Sequence, residues 1–187
     1  MLKSEARKLL QAKRKALTPS ECLKLDDLLL IQFQRLDWSS ILCVGNFFPM
    51  ESHNEPNSLL LAKYLKAIIP GLTVAYPRIH ADRPQMDFYA ETESISENQW
   101  GIQEPLPLNK VLPEQMNAIL VPLLGFDANG QRIGFGKGYY DRYFEHYPKS
   151  NWRIGISYFE PIANIQDTHQ FDVPLTHCIT PWNSYEF

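Results

Sequence analysis

The sequence predicts an α/β fold in which a mainly parallel sheet lies between helices. Segments of helical composition alternate along the chain with short apolar runs that are typical of buried strands. The central run, residues 118–126, is followed by a turn, a glycine-rich loop and a helical segment that ends near Pro148. Parallel strands need long crossover connections, which are usually helices, so this alternation favours a parallel sheet.

Length and composition limit the class of protein. The 187 residues predict one domain, residues 1–187, long enough to bury a core. A net charge of −3 gives no global field for nucleic acid or an acidic membrane, and no apolar run approaches the ~18 residues of a membrane helix. The N-terminus lacks the apolar core of a signal peptide. Cys22, Cys43 and Cys178 form neither a zinc spacing nor a disulfide framework, so we expect a reduced, cytoplasmic setting.

Two helices are predicted before the first strand. The first covers residues 4–17, with Ser4 as a possible N-cap. The second starts after Thr18, whose side chain can cap the helix while Glu21 completes a capping box, and it continues to about Leu36.

The rest of the chain alternates strands and helices. Strands are predicted at residues 40–48, 72–76, 85–89, 118–126, 152–158 and 177–180, and helices at 57–69 and 139–148. Residues 100–105 are predicted to form a loop. The loop around residue 55 joins a strand to a helix, and in open α/β sheets ligands bind at such carboxyl ends of strands.

Three glycines at every second position form the most informative stretch: Gly134, Gly136 and Gly138. Backbone N–H groups can approach an anion there because no Cβ blocks them, and Arg132 and Lys137 add positive charge. The alternative is a hairpin turn followed by a flexible loop. The spacing fits neither the Walker pattern nor the dinucleotide-binding pattern.

The whole central stretch resembles the signature of the 5-formyltetrahydrofolate cyclo-ligase family. The signature has a proline-containing strand, here with Pro122, then Phe126-Asp127 and a short turn. The pattern Gly-x-Arg-hydrophobic-Gly-x-Gly-x-Gly-Tyr-Tyr-Asp then runs without a gap from Gly130 to Asp141. The resemblance implies a three-layer α/β/α sandwich and an ATP-dependent enzyme that acts on a folate, with ATP as co-substrate and Mg²⁺ as cofactor.

The resemblance also implies a nucleotide site. Lys3 and Arg7 match a Lys-x-x-x-Arg pair that holds ATP phosphates, and at a spacing of four they share one helical face. Without the resemblance, the basic residues of this helix would form a solvated face. The remaining ATP contacts implied are Arg132, Ile133, Gly134, Phe135, Gly136, Lys137, Gly138, Tyr139 and Tyr140. Catalytic roles are implied for Arg132, Lys137 and Tyr139.

A folate site and a metal site follow from the same resemblance. The implied folate contacts are Met50, Glu55, Trp100, Phe135, Gly136, Lys137, Gly138 and Tyr139. The implied Mg²⁺ ligands are Asp141 and Asp172. From the sequence alone, Glu55 could instead cap a helix, Asp172 could form a turn, and Trp100 could cover the core.

The sequence departs from the family pattern in two places. Pro56, Asn57 and Ser58 follow Glu55 where the family has a hydrophobic residue, an acidic residue and threonine. Glu160-Pro161 stands where many members have glutamine.

The expected reaction is the ATP-dependent closure of 5-formyltetrahydrofolate to 5,10-methenyltetrahydrofolate, with ADP and phosphate released. The folate could carry a polyglutamate tail, a monomer is expected, and no nucleic acid or membrane partner is predicted. Two alternatives stay open: a sugar-phosphate isomerase-like enzyme on a similar fold, and a non-catalytic relative that binds folate or nucleotide.

Overall fold

The protein folds around a mixed, mostly parallel eight-stranded sheet that is flanked by helices. This computed structural model describes residues 1–99 and 101–187. The helices are α1 (Lys3–Lys15), α2 (Pro19–Phe33), α3 (Ser58–Ile68) and α4 (Tyr139–Phe144), with short 3₁₀ turns at Glu51–His53 and Pro113–Gln115. The strands are β1 (Cys43–Gly45), β2 (Thr73–Ile79), β3 (Met86–Ala90), β4 (Ile95–Glu97), β5 (Gln103–Pro105), β6 (Lys110–Val111), β7 (Ala118–Pro122), β8 (Gly125–Phe126), β9 (Arg132–Ile133), β10 (Trp152–Ile156), β11 (His177–Ile179) and β12 (Ser184–Glu186).

The sheet has a parallel centre and antiparallel edges. Its strand order is β12-β11-β10-β7-β1-β2-β3-β6. The five strands from β11 to β2 run parallel. The edge strands are antiparallel: β12 pairs with β11, β3 with β2, and β6 with β3. Two hairpins, β4–β5 and β8–β9, lie outside this sheet. The predicted α/β fold is confirmed.

Both faces of the sheet are covered, which explains the continuous apolar run of β7. Ala118 and Leu120 share a core cluster with residues of α2 and α3. Ile119 and Val121 share the other cluster with residues of α4. The predicted three-layer arrangement of helices, sheet and helix is therefore present.

The first helix begins one residue earlier than predicted. Leu2, not Ser4, occupies the N-cap position, and its N–H donates to the Glu5 carboxylate at 3.0 Å. The prediction of Ser4 as the N-cap is wrong, because the helix starts earlier and the Glu5 side chain accepts the hydrogen bond from the Leu2 backbone N–H.

The second helix has the predicted start and a different end. Thr18 accepts from the Glu21 N–H, and the Thr18 N–H donates to the Glu21 carboxylate at 2.8 Å, so the capping box is confirmed. The helix stops at Phe33 instead of Leu36. The Trp38 indole donates to the Phe33 carbonyl at 2.9 Å, which replaces the next helical hydrogen bond.

Several strand boundaries also differ from the prediction. The run at 118–126 divides into β7 and β8 because the chain turns at Leu123 and Leu124 to pair with β9. Residues 103–105, predicted as loop, form β5 against β4, so that prediction is wrong. The short strands β6 and β12 were not predicted, since edge pairing depends on neighbours that are distant in sequence.

Two further elements are shorter or longer than predicted. Helix α4 ends at Phe144, before a tight turn in which the Tyr147 N–H donates to the Phe144 carbonyl. Strand β2 continues through Pro77, which lies beyond the last position that pairs with β1, where a missing N–H breaks no ladder.

Within the described ranges, no helix has both the length and the apolar character needed to cross a bilayer.

Candidate active site

A cavity of about 670 Å³ opens at the carboxyl edge of the parallel strands. Phe47 and Phe48 follow β1, Pro77 and Ile79 end β2, and Pro122 ends β7, and all five line the cavity. This volume is in the usual range for small-molecule sites, and the position is where open α/β sheets bind ligands.

The glycine loop between β9 and α4 forms one wall of this cavity. Gly136 and Gly138 have φ values of +86° and +69°, which a residue with a Cβ adopts only with strain. A Cβ on Gly136 would also lie 3.3 Å from the guanidinium carbon of Arg7. The loop therefore needs glycine both for its backbone and for the close approach of α1.

Helix α1 places two cations against this loop. The Arg7 Nε donates to the Gly134 carbonyl at 2.9 Å. The Lys3 ammonium forms an ion pair with Asp172. The backbone N–H of Lys3 donates to the Asp167 carboxylate at 2.7 Å. Lys3 and Arg7 both line the cavity on the face that their spacing of four predicts they share, and Arg7 reaches Gly134 across 127 residues of chain.

Arg132 and Asp141 form a second ion pair at the same wall. The Val173 N–H donates to the Asp141 carboxylate at 3.2 Å, and the Arg132 guanidinium lies 5.2 Å from the centre of the Phe144 ring. Burial lowers the pKa of Arg132, and the nearby carboxylates of Asp141 and Asp172 oppose that shift.

Asp172 lies in a turn and in the cavity lining at once. Its carboxylate accepts from the His169 N–H at 2.6 Å, and its own N–H donates to the His169 carbonyl. Burial would raise the pKa of Asp172, but the hydrogen bonds from Lys3 and His169 outweigh it, so the pKa is lowered. The turn interpretation describes its local contacts and leaves a ligand role open.

The two predicted Mg²⁺ ligands line the same cavity. Across the described part of the chain, no group of three or more His, Cys, Asp or Glu residues is arranged to hold a metal ion. Asp141 and Asp172 both act electrostatically on Arg132, so the two carboxylates face one region. A pair of carboxylates fits Mg²⁺, which usually takes one or two from the protein and completes its shell with phosphate oxygens and water.

The opposite side of the cavity carries a buried carboxylate. Glu55 is 8% exposed, and its Oε2 accepts from the Met50 N–H at 2.9 Å. Asn57 caps α3 through the Leu60 N–H, so the alternative of Glu55 as the cap is wrong. Burial raises the pKa of Glu55, while the Met50 N–H and Arg14 act against that shift.

The structure places most of the other predicted contacts in the cavity lining, with two exceptions. Met50, Phe135, Lys137, Tyr139 and Tyr140 all line it. Ile133 instead packs beneath α1 in a buried cluster with Ala6 and Leu10. Trp100 lies outside the described residues.

The sequence did not single out several residues that line the cavity. Glu104 is 4% exposed and accepts from the Ile79 N–H at 2.9 Å. His53 packs edge-on against Phe135, with ring centres 5.8 Å apart. The apolar residues missed are Phe47, Phe48, Pro77, Ile79, Met86, Ile102, Pro122 and Val173. Their one common signal is position, because most of them follow or end a strand at the carboxyl edge.

Comparisons with known proteins agree with this arrangement. The model of the 5-formyltetrahydrofolate cyclo-ligase family matches residues 1–181. The 5-formyltetrahydrofolate cyclo-ligase of Haemophilus influenzae is 36% identical over 91 residues, which cover 46% of this chain and 48% of that protein. The Escherichia coli K12 protein of the same name is 27% identical over 119 residues, covering 62% and 65%. The chain thus spans about half the length of the curated relatives it matches.

Two solved structures superpose over nearly the full length. A 5,10-methenyltetrahydrofolate synthetase from Mycoplasma pneumoniae has a TM-score of 0.73 at 27% identity, covering 96% of this chain and 98% of that one. A 5,10-methenyltetrahydrofolate synthetase from Aquifex aeolicus has a TM-score of 0.79 at 27% identity, covering 100% and 93%. Since the family model matches almost the entire chain, the chain belongs to the 5-formyltetrahydrofolate cyclo-ligase family.

Proposed function

We propose that this protein converts 5-formyltetrahydrofolate to 5,10-methenyltetrahydrofolate in a reaction that consumes ATP and requires Mg²⁺. The observation that carries the proposal is the polarity of the cavity. One side gathers the cations Lys3, Arg7, Arg132 and Lys137 around the glycine loop, and the other side combines apolar walls with the buried Glu55. Such a cavity suits a polyphosphate beside a flat ring whose edge carries N–H donors. The names of the relatives support the same reaction.

The chemical difficulty lies in the N5-formyl group, which is an amide. Its carbon is a poor electrophile and its oxygen a poor leaving group. In the proposed first step the formyl oxygen attacks the γ-phosphorus of ATP, the bond from that phosphorus to the bridging oxygen breaks, and ADP leaves. N10 then bonds to the formyl carbon and loses its proton. The carbon–oxygen bond breaks, its electron pair leaves with phosphate, and the methenyl bridge is closed.

The cations have a direct task in the first step. Phosphoryl transfer depends mainly on alignment and on neutralising charge at the phosphate oxygens. Lys3 and Arg7 would hold the nucleotide from α1, while Arg132, Lys137 and the loop amides would contact the transferred group. Arg132 and Lys3 are paired with carboxylates, so a bound phosphate would compete with Asp141 and Asp172 for these two cations.

That competition fits the proposed Mg²⁺ site. A phosphate that competes for the arginine and the lysine would leave Asp141 and Asp172 available to hold a cation. When bound, Mg²⁺ supplies positive charge to the phosphate oxygens. The chain's own residues fix the two carboxylates, through the Val173 N–H for Asp141 and the His169 N–H for Asp172.

The folate end of the cavity would align the second nucleophile. Glu55 would accept hydrogen bonds from the pterin edge, with Met50 beside it, and Tyr139 would contact the folate near the reacting carbon. The apolar walls at Phe48 and Ile79 exclude water from the activated intermediate. N10 and the formyl carbon belong to the same molecule, so the site would favour ring closure by restricting internal rotations and keeping N10 within reach of that carbon.

The test is a direct assay that follows methenyl absorbance. Purified protein is mixed with 5-formyltetrahydrofolate, ATP and Mg²⁺, and each component is omitted in turn. Product should form only in the complete mixture. Product formed equally fast without ATP would exclude the phosphorylation mechanism, and tight binding without product would favour a non-catalytic relative. Conversion of a sugar phosphate without nucleotide would favour an isomerase.

The setting of the activity is part of the proposal. Cys22, Cys43 and Cys178 are free thiols, which is compatible with a reducing, cytoplasmic location. A monomer is part of the proposal, and light scattering at working concentrations would test it.

A further inference from the structure

Arg14 is a buried cation on α1 that the proposed reaction does not yet use. The residue is 2% exposed and lies outside the cavity lining. Its Nη2 donates to the Leu123 carbonyl just beyond β7. Its Nε and Nη1 are buried and have no hydrogen-bond partner among the described residues. Nη1 lies 3.8 Å from the Glu55 Oε1, so one guanidinium edge faces the carboxylate at the folate end of the cavity.

Glu55 is arranged to use this cation. Its Oε2 is engaged by the Met50 N–H, whereas its Oε1 accepts no hydrogen bond from the described residues and faces Arg14. The side chains of both residues are 3% exposed. One oxygen is thus fixed by the backbone, and the other lies between a buried guanidinium and the cavity.

The end of α1 also holds the backbone next to Glu55. The Asn54 side-chain amide donates to the Arg14 carbonyl at 3.0 Å and to the Leu17 carbonyl at 3.1 Å. Asn54 has a φ of +48°, a left-handed conformation that asparagine tolerates better than most residues. The same turn of α1 therefore fixes both the loop backbone and the charge of the carboxylate.

The surroundings leave Arg14 as the counter-charge. The groups that act on Glu55 are the Met50 N–H and Arg14, and the Tyr140 phenol of α4 also faces it. Arg14 itself faces the Tyr158 phenol and the Cys22 thiol, neither of which carries a charge at neutral pH. A buried carboxylate with no counter-charge takes up a proton, and a protonated Glu55 would present fewer acceptor sites to pterin N–H groups.

We propose that Arg14 is a positioning residue that keeps Glu55 charged and oriented toward the folate ring. The inference rests on the proposed function for its folate arm. It gives α1 two tasks, since Lys3 and Arg7 serve the nucleotide from the first turns and Arg14 serves the folate site from the last turn.

The first experiment needs no ligand. Unfolding in urea is measured between pH 5 and 9 for wild type, Arg14→Met, Glu55→Gln and the double variant, with the exposed Lys15→Met as the matched control. Arg14→Met should be destabilised more at pH 9 than at pH 5, because only an ionised Glu55 loses its counter-charge. In the Glu55→Gln background the same substitution should show much less of this pH dependence.

Misfolding would still be informative. If Arg14→Met fails to fold and the double variant folds, the rescue supports the charge pair. If both fail, or if Arg14→Met costs the same at every pH in both backgrounds, Arg14 acts only through Leu123 and the proposal is overturned.

The second experiment measures the Kd for 5-formyltetrahydrofolate without ATP. Arg14→Met should weaken binding by roughly ten- to a hundred-fold at neutral pH, and binding should recover as rising pH ionises Glu55. Arg14→Lys should restore most of the affinity, and Lys15→Met should match wild type. A pH-independent Kd in Arg14→Met would overturn the folate role. If wild type binds no folate, the proposed function fails, while the unfolding cycle still decides the charge pair.

Discussion

Asp141 and Asp172 line the cavity and pair with Arg132 and Lys3, respectively. We predict that Asp141→Asn and Asp172→Asn each lower the rate of methenyl formation, because each removes one charge from the proposed Mg²⁺ site. Rates measured over a Mg²⁺ titration should recover in part at high Mg²⁺.

The double variant provides the control for this prediction. It should lose little beyond the worse single variant, because the two carboxylates act on one ion. Full activity of Asp172→Asn at limiting Mg²⁺ would exclude Asp172 from the metal site and leave it the contacts with His169 and Lys3.

Substitutions of Glu55 and Arg7 test the proposed folate site and the proposed nucleotide site separately. Glu55→Gln keeps a side-chain oxygen for the Met50 N–H but removes the charge, so the KM for folate should rise by roughly ten-fold with a smaller effect on ATP. Arg7→Ala should raise the KM for ATP instead, because Arg7 lies against the glycine loop. Steady-state kinetics with each substrate varied in turn would check both, and an exchange of the two effects would mean that the sites are assigned in reverse.

Residue-level prediction from the sequence succeeded where spacing alone places a side chain. Lys3 and Arg7 share a face because they are four residues apart, and both line the cavity, with Arg7 against the glycine loop. Arg14 was not distinguished from Lys13 and Lys15, because a run of basic residues does not reveal which one is buried. That choice depends on Leu123 and Glu55, which meet α1 only in the folded chain.

The glycine loop is the element whose geometry yields the sharpest comparison. Gly136 has a φ of +86°, and a Cβ there would crowd the Arg7 guanidinium, whereas a Cβ on Gly134 would have no atom within 4 Å. Gly136→Ala should therefore lower the free energy of unfolding by about 1–2 kcal/mol and raise the KM for ATP by displacing Arg7. Gly134→Ala should leave the free energy of unfolding close to that of wild type. Equal destabilisation of both variants would show that the loop conformation is not the cause.

Elements were predictable from the sequence where local chemistry decides them. The capping box of Thr18 and Glu21 and the crossover helix α3 were predicted close to their observed positions. The hairpins were not, because β5 pairs with β4 through contacts that carry little apolar signal. The split of the run 118–126 also escaped prediction, since the chain leaves the sheet to meet β9, which carries the glycine loop.

At the scale of the whole molecule, Glu160 links the segment after β10 to the edge strand β12 through hydrogen bonds. Its carboxylate accepts hydrogen bonds from Tyr185 in β12 and from Thr180 and Asn183, which precede that strand. Burial would raise the pKa of Glu160, but these three hydrogen bonds outweigh it, so the pKa is lowered. This gives a structural role to a position where the sequence departs from the family pattern.

A lowered pKa sets the sign of the pH dependence. Glu160 stabilises the fold above the usual glutamate pKa of about 4.3, and that contribution is lost as the pH falls through the lower folded value. Glu160→Gln should therefore reduce the free energy of unfolding at pH 7 and have a smaller effect near pH 3. Urea unfolding at both values would check this, with the exposed Glu114→Gln as the control. A deficit that persists unchanged at pH 3 would contradict the assignment to charge.

The prediction that residues 1–187 form one domain remains a prediction. We propose it because α1, the first helix, contacts the glycine loop and the segment before β11, so a boundary between them would cut the site. Coincident unfolding curves from tryptophan fluorescence and circular dichroism would be expected of one cooperative unit.

The anchoring of α1 has a consequence for how the protein is made. The helix is the first described element to leave the ribosome, but Gly134, Asp167 and Asp172 follow Arg7 and Lys3 by 127, 164 and 169 residues. At roughly 5–20 residues per second, the helix waits on the order of ten seconds or more before all its partners exist. Ala6 and Leu10 on its apolar face pack in the folded protein against Leu124, Ile133 and Ile165, which are also synthesised long after the helix. The contacts that anchor α1 are therefore complete only after synthesis has passed Asp172, so the wall of the cavity that α1 forms is assembled late.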